Sequence, residues 1–208
     1  MRLFGLTGGI ATGKSAVSKM FVERGMPLID ADVIAREVVQ KGQPAVAEIA
    51  ARFPGVVRDD GTVDRQALGS RIFGNAAERE ALNAITHPRI REAFRQRSLQ
   101  LAAAGAPMVL YDAPLLIENG LQGALDGVVL VVAPFDLQRR RLMERNQLTS
   151  AEAEQRIRSQ MPLDEKRQFA RWIVDNSGSL EETKRQVDAV LAQMVSLTNA
   201  DVEKRAPP

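Results

Sequence analysis

Gly8, Gly13, Lys14 and Ser15 fill the fixed places of the pattern G-x-x-x-x-G-K-[ST] within Gly8-Gly9-Ile10-Ala11-Thr12-Gly13-Lys14-Ser15. That spacing makes an anion cradle. Glycines let the backbone turn tightly, so successive N–H groups converge on phosphate oxygens, and the helix start that follows adds partial positive charge. Lys14 can then reach the β- and γ-phosphates of a nucleoside triphosphate, and the Ser15 hydroxyl can ligate Mg²⁺. Gly8, Ala11, Thr12, Gly13, Lys14, Ser15 and Ala16 are accordingly the candidate nucleotide-binding residues. The alternative is a chance match in a glycine turn. The flanks argue against it, because Leu3-Phe4-Gly5-Leu6 reads as a short apolar strand and Ala16 to Val22 as a helix.

Other residues could join such a site. Asp112 ends the apolar run Met108-Val109-Leu110-Tyr111, and an acid in that place helps hold Mg²⁺ in phosphate-loop proteins. Its alternative role is a turn residue before Pro114. Asp30 and Asp32 follow the short strand Leu28-Ile29, and ligands of open α/β sheets bind along that carboxyl edge. One of the two is expected to cap the next helix and the other to face the loop. Arg141 and Arg145 share a face of an arginine-dense helix. They are either a solvated charged surface or a lid that reaches phosphates, for which a guanidinium fork is well suited. The single histidine, His87, is either a polar helix-start residue or a substrate contact.

The elements that must carry these residues can be read in order. After the first helix, Arg24-Gly25-Met26-Pro27 is a stop, and a helix from about Val33 to Gln40 follows the Asp pair. Between Gly42 and Ala106 there is no strong strand. Pro44 to Phe53 has helical spacing with Val46, Ile49 and Phe53 on one face. Val56 to Val63 is a turn or small hairpin around Asp59-Asp60-Gly61. Asp64 can cap a helix carrying Leu68, Ile72 and Phe73. Ala76 to Ile85 is expected as one helix and His87-Pro88 as the start of another, with Pro88 in its first position. Gly127 to Ala133 is apolar on both faces, as in the middle of a parallel sheet. A helix from Ser150 opens with a capping pattern, Trp172-Ile173-Val174 is a last strand, and Ser179 with Glu182 forms a capping box. The last helix sets Val187, Val190, Leu191 and Met194 in one stripe. Asp201 to Pro208 is expected as a disordered tail.

Composition excludes several classes. Of the 208 residues, 45% are hydrophobic and 26% charged, with 28 Lys and Arg against 26 Asp and Glu for a net charge of +2. This is an ordinary globular balance, with no basic tract to argue for a nucleic-acid or membrane partner. The absence of cysteine rules out disulfides and thiolate metal sites. Met1-Arg2 leads directly into the first strand, no secretory leader is read, and no apolar run approaches a membrane span. The expectation is a cytoplasmic protein, a monomer or weak oligomer.

Several stretches together resemble the dephospho-coenzyme A kinase family: Leu6-Thr7-Gly8-Gly9-Ile10, the phosphate loop, Ile29-Asp30-Ala31-Asp32 with Ala35-Arg36, and His87-Pro88. So do Pro114-Leu115-Leu116 with Glu118, then Gln138, Arg141 and Arg145, Gln160, and Asp175-Asn176-Ser177-Gly178. The resemblance implies an α/β phosphate-loop NTPase fold, with a five-stranded parallel sheet of order 2-3-1-4-5 flanked by helices. It implies one kinase domain over 1–200, with core segments 1–32, 107–137 and 167–197, a helical acceptor-binding insertion at 33–106 and a helical lid at 138–166. The implied reaction moves the ATP γ-phosphoryl group to the 3′-hydroxyl of dephospho-coenzyme A. Asp32 is then the residue that orients or deprotonates that hydroxyl, and Lys14 and Arg141 offset charge on the group in transfer. Arg145 and Asn176 join the ATP site, and Ser15 and Asp112 serve Mg²⁺. Thr7, Arg36, His87, Leu115 and Glu118 fall where the acceptor should lie. Ala11 departs from the family, in which glycine is frequent there, and fits if its backbone keeps a negative φ. Ala16 stands where threonine is frequent. A kinase for a nucleoside or nucleotide, and a GTPase-type switch, are the competing readings. Against the switch, there is no Asn-Lys-x-Asp segment to read guanine.

Overall fold

Five strands form one sheet: β1 (Arg2–Gly8), β2 (Leu28–Asp30), β3 (Met108–Asp112), β4 (Gly127–Val132) and β5 (Trp172–Asp175). Their order is β2-β3-β1-β4-β5, the order implied by the family resemblance. The pairings of β1 with β3, β1 with β4 and β4 with β5 are parallel, with Leu6 opposite both Asp112 and Val129. β1 is therefore central, and five consecutive residues of β4 are buried, as a strand covered on both faces requires. The computed structural model describes residues 1–205.

The chain separates into two compact units, one made of Met1–Ile29 with the chain from Leu101 onward, the other of Asp30–Gln100. In the first, α1 (Lys14–Glu23) follows β1 directly. The second holds α2 (Ala31–Glu37), α3 (Pro44–Arg52), α4 (Arg65–Ile72) and most of α5 (Ala76–Ala103). The first unit resumes after α5 with β3, β4, α6 (Phe135–Asn146), α7 (Ser150–Arg158), α8 (Leu163–Arg167), β5 and α9 (Leu180–Arg205). Its core joins Phe4 and Leu6 of β1 to Val17 and Phe21 of α1 and to Val187, Val190 and Met194 of α9. Phe4 and Trp172 meet edge to face at 5.7 Å, a favoured geometry for two ring quadrupoles.

The second unit has its own core of Ala45, Ile49, Phe53, Val56 and Leu68, under which Leu82 and Ile85 pack. Val57 and Val63 bridge antiparallel across the expected turn, and the Asp64 carboxylate caps α4 by accepting from the Gln66 and Ala67 amides. Two expectations fail here. Phe73 does not join the α4 stripe. It is 89% exposed, because it is the residue at which the backbone leaves the helix for extended geometry. Nor does a new helix start at Pro88: α5 is a single helix of 28 residues with the proline inside it. Proline has no N–H for the preceding turn, which normally kinks or ends a helix. The carbonyl left without its helical donor is that of Ala84, and neighbouring side chains bond to other carbonyls of the same turns. The Thr86 hydroxyl donates to Leu82 O at 3.0 Å and Arg89 Nη1 to Ile85 O at 2.6 Å.

Both capping boxes form, with one shift. Ser179 and Glu182 cap α9 as expected. At α7 the cap is Thr149 rather than Ser150, because Thr149 is the residue spaced to exchange hydrogen bonds with Glu152. The Thr149 hydroxyl and amide hold the Glu152 carboxyl below its ordinary pKa range. α9 runs on to Arg205, past Asp201 where the sequence reading ends it. The rest of the expected tail, 206–208, lies outside the described residues.

Candidate active site

The turn between β1 and α1 is built to leave amides free. Thr12 is fully buried, and its hydroxyl and its N–H both donate to Gly9 O, at 2.9 and 3.3 Å. Gly13 O takes the first helical N–H groups, from Ala16 at 2.9 Å and Val17 at 3.3 Å. The Ile10 amide donates to Gln160 Oε1 at 2.7 Å. Among the described residues, the N–H groups of Ala11, Gly13, Lys14 and Ser15 then have no protein acceptor. Unpaired donors clustered at a helix start form an anion site. Gly13 is fixed here twice over: its φ is +89°, and a Cβ would collide with the Asn176 side chain.

Ala11 corrects an expectation. Its φ is +59°, not negative. The loop needs a left-handed residue at this point, which is the physical reason a glycine suits it, and an alanine there stores about 1–2 kcal/mol of strain. Ala11→Gly relieves that strain but loosens the unfolded chain, so the net gain is about 0.5–1 kcal/mol. For a chain of this size a rise in Tm of roughly 1–4 °C is expected by calorimetry. A fall in Tm would mean that the left-handed backbone is not strained.

Lys14 and Asp112 form an ion pair between the first residue of α1 and the last of β3, with both side chains largely buried. Next to it, the buried Thr7 hydroxyl donates to Pro114 O at 3.1 Å, and the Ala113 amide to Leu6 O at 3.1 Å. The segment after β3 is thereby laid along the end of β1, so that Asp112 lies beside the phosphate loop.

The arginines behave differently from each other. Arg141 donates to two backbone carbonyls, Thr12 O at 3.3 Å and Asn176 O at 3.0 Å. Arg145, one turn on, points instead at Asn146 Oδ1, at 2.9 Å. The Asn176 amide also donates to Thr12 O, at 2.8 Å, while its oxygen accepts from the buried Thr183 hydroxyl at 3.0 Å. Thr183 carries no motif and sequence reading missed it. Its partner lies across a turn, at a spacing no pattern rule records. Beside Gly9 a cavity of about 620 Å³ opens, lined by Val132 and Asp175 at the strand ends, by Phe135 and Gln138 of α6, and by Gln160 and Leu163. That is room for a ligand of cofactor size.

Of the residues that the resemblance assigns to the acceptor, Leu115 is 46% exposed. Glu118 is not free, since its carboxylate lies 2.6 Å from the ammonium of Lys166, a lysine with no exposure at all. Asp32, Arg36 and His87 belong to the second unit. Asp30 caps α2, accepting from the Asp32 and Val33 amides at 2.8 and 3.0 Å, so the cap falls on the first Asp of the pair. Asp32 and Arg36 are exposed on one face of α2, and His87 is exposed in the middle of α5 rather than at a helix start.

A parallel sheet of this order, a glycine loop with open amides at the start of α1, and a lysine and an aspartate facing each other beside it define a phosphate-loop NTPase fold. The family model described as dephospho-CoA kinase matches residues 2–182. The chain is 49% identical over 195 residues to a dephospho-CoA kinase of Anaeromyxobacter dehalogenans, covering 93% of this chain and 92% of that one. It is 48% identical to one of Halalkalibacterium halodurans, covering 91% and 94%. A solved dephospho-CoA kinase from Campylobacter jejuni shares the fold with a TM-score of 0.71 at 25% identity, covering 93% and 98%. The chain belongs to the dephospho-CoA kinase family.

Proposed function

We propose that the chain transfers the γ-phosphoryl group of ATP to the 3′-hydroxyl of dephospho-coenzyme A, giving coenzyme A and ADP in the last step of coenzyme A synthesis. The observation that carries this reading is the loop of open amides beside the Lys14–Asp112 pair, in a chain whose family is defined by that reaction. Transfer of a phosphoryl group asks little covalent help of a protein; it asks for in-line placement, charge neutralisation and exclusion of water. In this reading the open amides of Ala11, Gly13, Lys14 and Ser15 hold the triphosphate, with Gly8 and Thr12 shaping the turn and Ala16 closing the first helical turn onto Gly13 O. Lys14 exchanges Asp112 for phosphate oxygens. Asp32 orients the acceptor hydroxyl, and Arg36, His87, Thr7 and Leu115 bind the rest of the acceptor. Asn176 and Arg145 complete the ATP site.

Mg²⁺ suits the donors available. Ser15 and Asp112 offer hard oxygens, and among the described residues no group of three His, Cys, Asp or Glu forms a metal cage. That fits an ion held by one or two protein oxygens and completed by phosphates and water. When bound, it neutralises charge on the β- and γ-phosphate oxygens. The reading also places the enzyme in the cytoplasm as a monomer or weak oligomer; among the described residues no helix is long and apolar enough to cross a membrane.

The test is ADP release measured with ATP and Mg²⁺, with and without dephospho-coenzyme A, against nucleosides as competing acceptors. Release that follows a nucleoside and not dephospho-coenzyme A would overturn the acceptor assignment. A second expectation concerns Arg141, which bonds carbonyls of the loop and of the turn after β5. Arg141→Ala should lower kcat by roughly 10–100-fold, the cost of a loosened reactive geometry, while KM for dephospho-coenzyme A changes little. Arg141→Lys should not restore it, because one ammonium cannot reproduce a planar fork on two carbonyls. Full rescue by lysine would mean that only positive charge matters at this position.

A further inference from the structure

Among the described residues, Lys166 is the one lysine with no exposure in the first unit, and no motif accounts for it. It sits on α8, just before the return to β5, with its ammonium 2.6 Å from Glu118 Oε1. Neither the ammonium nor either carboxylate oxygen has a well-aligned hydrogen bond to any group, and all three atoms are buried. As a device for stability this is poor. Taking two charges out of water costs several kcal/mol per ion, and an incompletely satisfied pair is often no better than an apolar contact. What such a pair does well is fix one arrangement against others.

The arrangement that it fixes is specific. Glu118 lies in the segment that leaves β3 after Asp112, the partner of Lys14, and that passes Thr7 through the bond to Pro114 O. Lys166 lies in the segment whose Gln160 accepts the Ile10 amide of the phosphate loop. The two segments therefore meet the loop from opposite neighbours, and apart from the loop itself the Lys166–Glu118 pair is a charged tie between them. We infer that Lys166 is a positioning residue for phosphoryl transfer. Through Glu118 it holds the Asp112–Gly120 segment in register with the lid helices, so that acceptor and phosphate loop are presented to each other in one geometry. The inference rests on the proposed reaction and adds to it a residue pair that need not touch either substrate.

The prediction separates position from stability. In the double variant Glu118→Gln with Lys166→Met, no charge is left buried and unpaired, so Tm should stay within a few degrees of the parent. Because the tie is gone, kcat/KM for dephospho-coenzyme A should fall about 10–100-fold, with KM for ATP within twofold. Glu118→Asp keeps both charges but withdraws the carboxylate by one carbon–carbon bond, ~1.5 Å. It should show the same split between the substrates in a folded protein, even if the double variant does not fold. If either folded variant keeps the parental kcat and both KM values, the pair positions nothing and the inference fails. It fails also if turnover drops only in proportion to the folded fraction, counted by ATP binding. Absence of dephospho-coenzyme A activity in the parent would instead reject the proposed reaction, so the two failures are told apart.

Discussion

Lys14→Ala is expected to lower kcat by about 10³-fold or more, the scale on which a cation at the transferring phosphoryl group acts in such enzymes. That corresponds to roughly 4 kcal/mol of transition-state stabilisation. Lys14 is the first residue of α1, with its ammonium held by Asp112 in a largely buried setting. Asp112 thus keeps the cation close to the loop before nucleotide arrives, so little reorganisation is left for the reaction itself. ATP affinity should fall much less than kcat, because four open amides still face the phosphates. Arginine at this place should rescue poorly, since a planar fork does not replace a compact point charge on the end of α1. The variant also deprives a buried carboxylate of a cation, so stability must be followed alongside. Single-turnover rates on protein shown to be folded by calorimetry are the deciding measurement. A rate within tenfold of the parent would remove Lys14 from the phosphate site.

How much of this was legible in the sequence follows from the range of each interaction. The phosphate loop is local, and its glycines, lysine and serine act within one turn, so a pattern finds them. β4 is legible because a strand buried on both faces can be nothing but apolar, and α9 because its stripe and its capping box are both local. The family resemblance supplied the strand order, which no run of residues states by itself. Ala11 misled because residue type says glycine is usual but not that the left-handed backbone persists without it. Pro88 misled because its role as a helix start is common, while the continuation of α5 through it is not stated by residue type or spacing. The arginines of α6 could be assigned to a face, yet only coordinates separate Arg141, on two carbonyls, from Arg145, on Asn146. Lys166 with Glu118, and Thr183 with Asn176, join residues whose contact is set by the packing of distant segments or by a turn. Nothing in the types or spacing of those residues announces a partner.

The carboxylates after β2 give the second large effect. Strand alternation would send Asp30 and Asp32 to one side, but the strand ends at Asp30 and α2 begins at Ala31, so the two side chains have different surroundings. Asp30 Oδ1 already accepts two amides as the cap of α2, whereas the Asp32 side chain is exposed in the first helical turn and takes no part in that cap. Asp32 is thus the carboxylate available to an incoming hydroxyl. Phosphoryl transfer in most analyses passes through a loose transition state, which keeps early proton abstraction small and leaves orientation of the hydroxyl as the larger part. Asp32→Asn should therefore leave ATP and dephospho-coenzyme A binding within a few-fold and lower kcat by roughly 10²–10⁴, the range of a general base. Asp30→Asn is the matched control: asparagine caps a helix about as well as aspartate, so both kcat and Tm should remain near the parent. An increase in KM for dephospho-coenzyme A with kcat intact in Asp32→Asn would reduce that residue to substrate binding. A larger kcat defect in Asp30→Asn, with binding unchanged, would reverse the two roles and make the capping carboxylate the one that meets the hydroxyl.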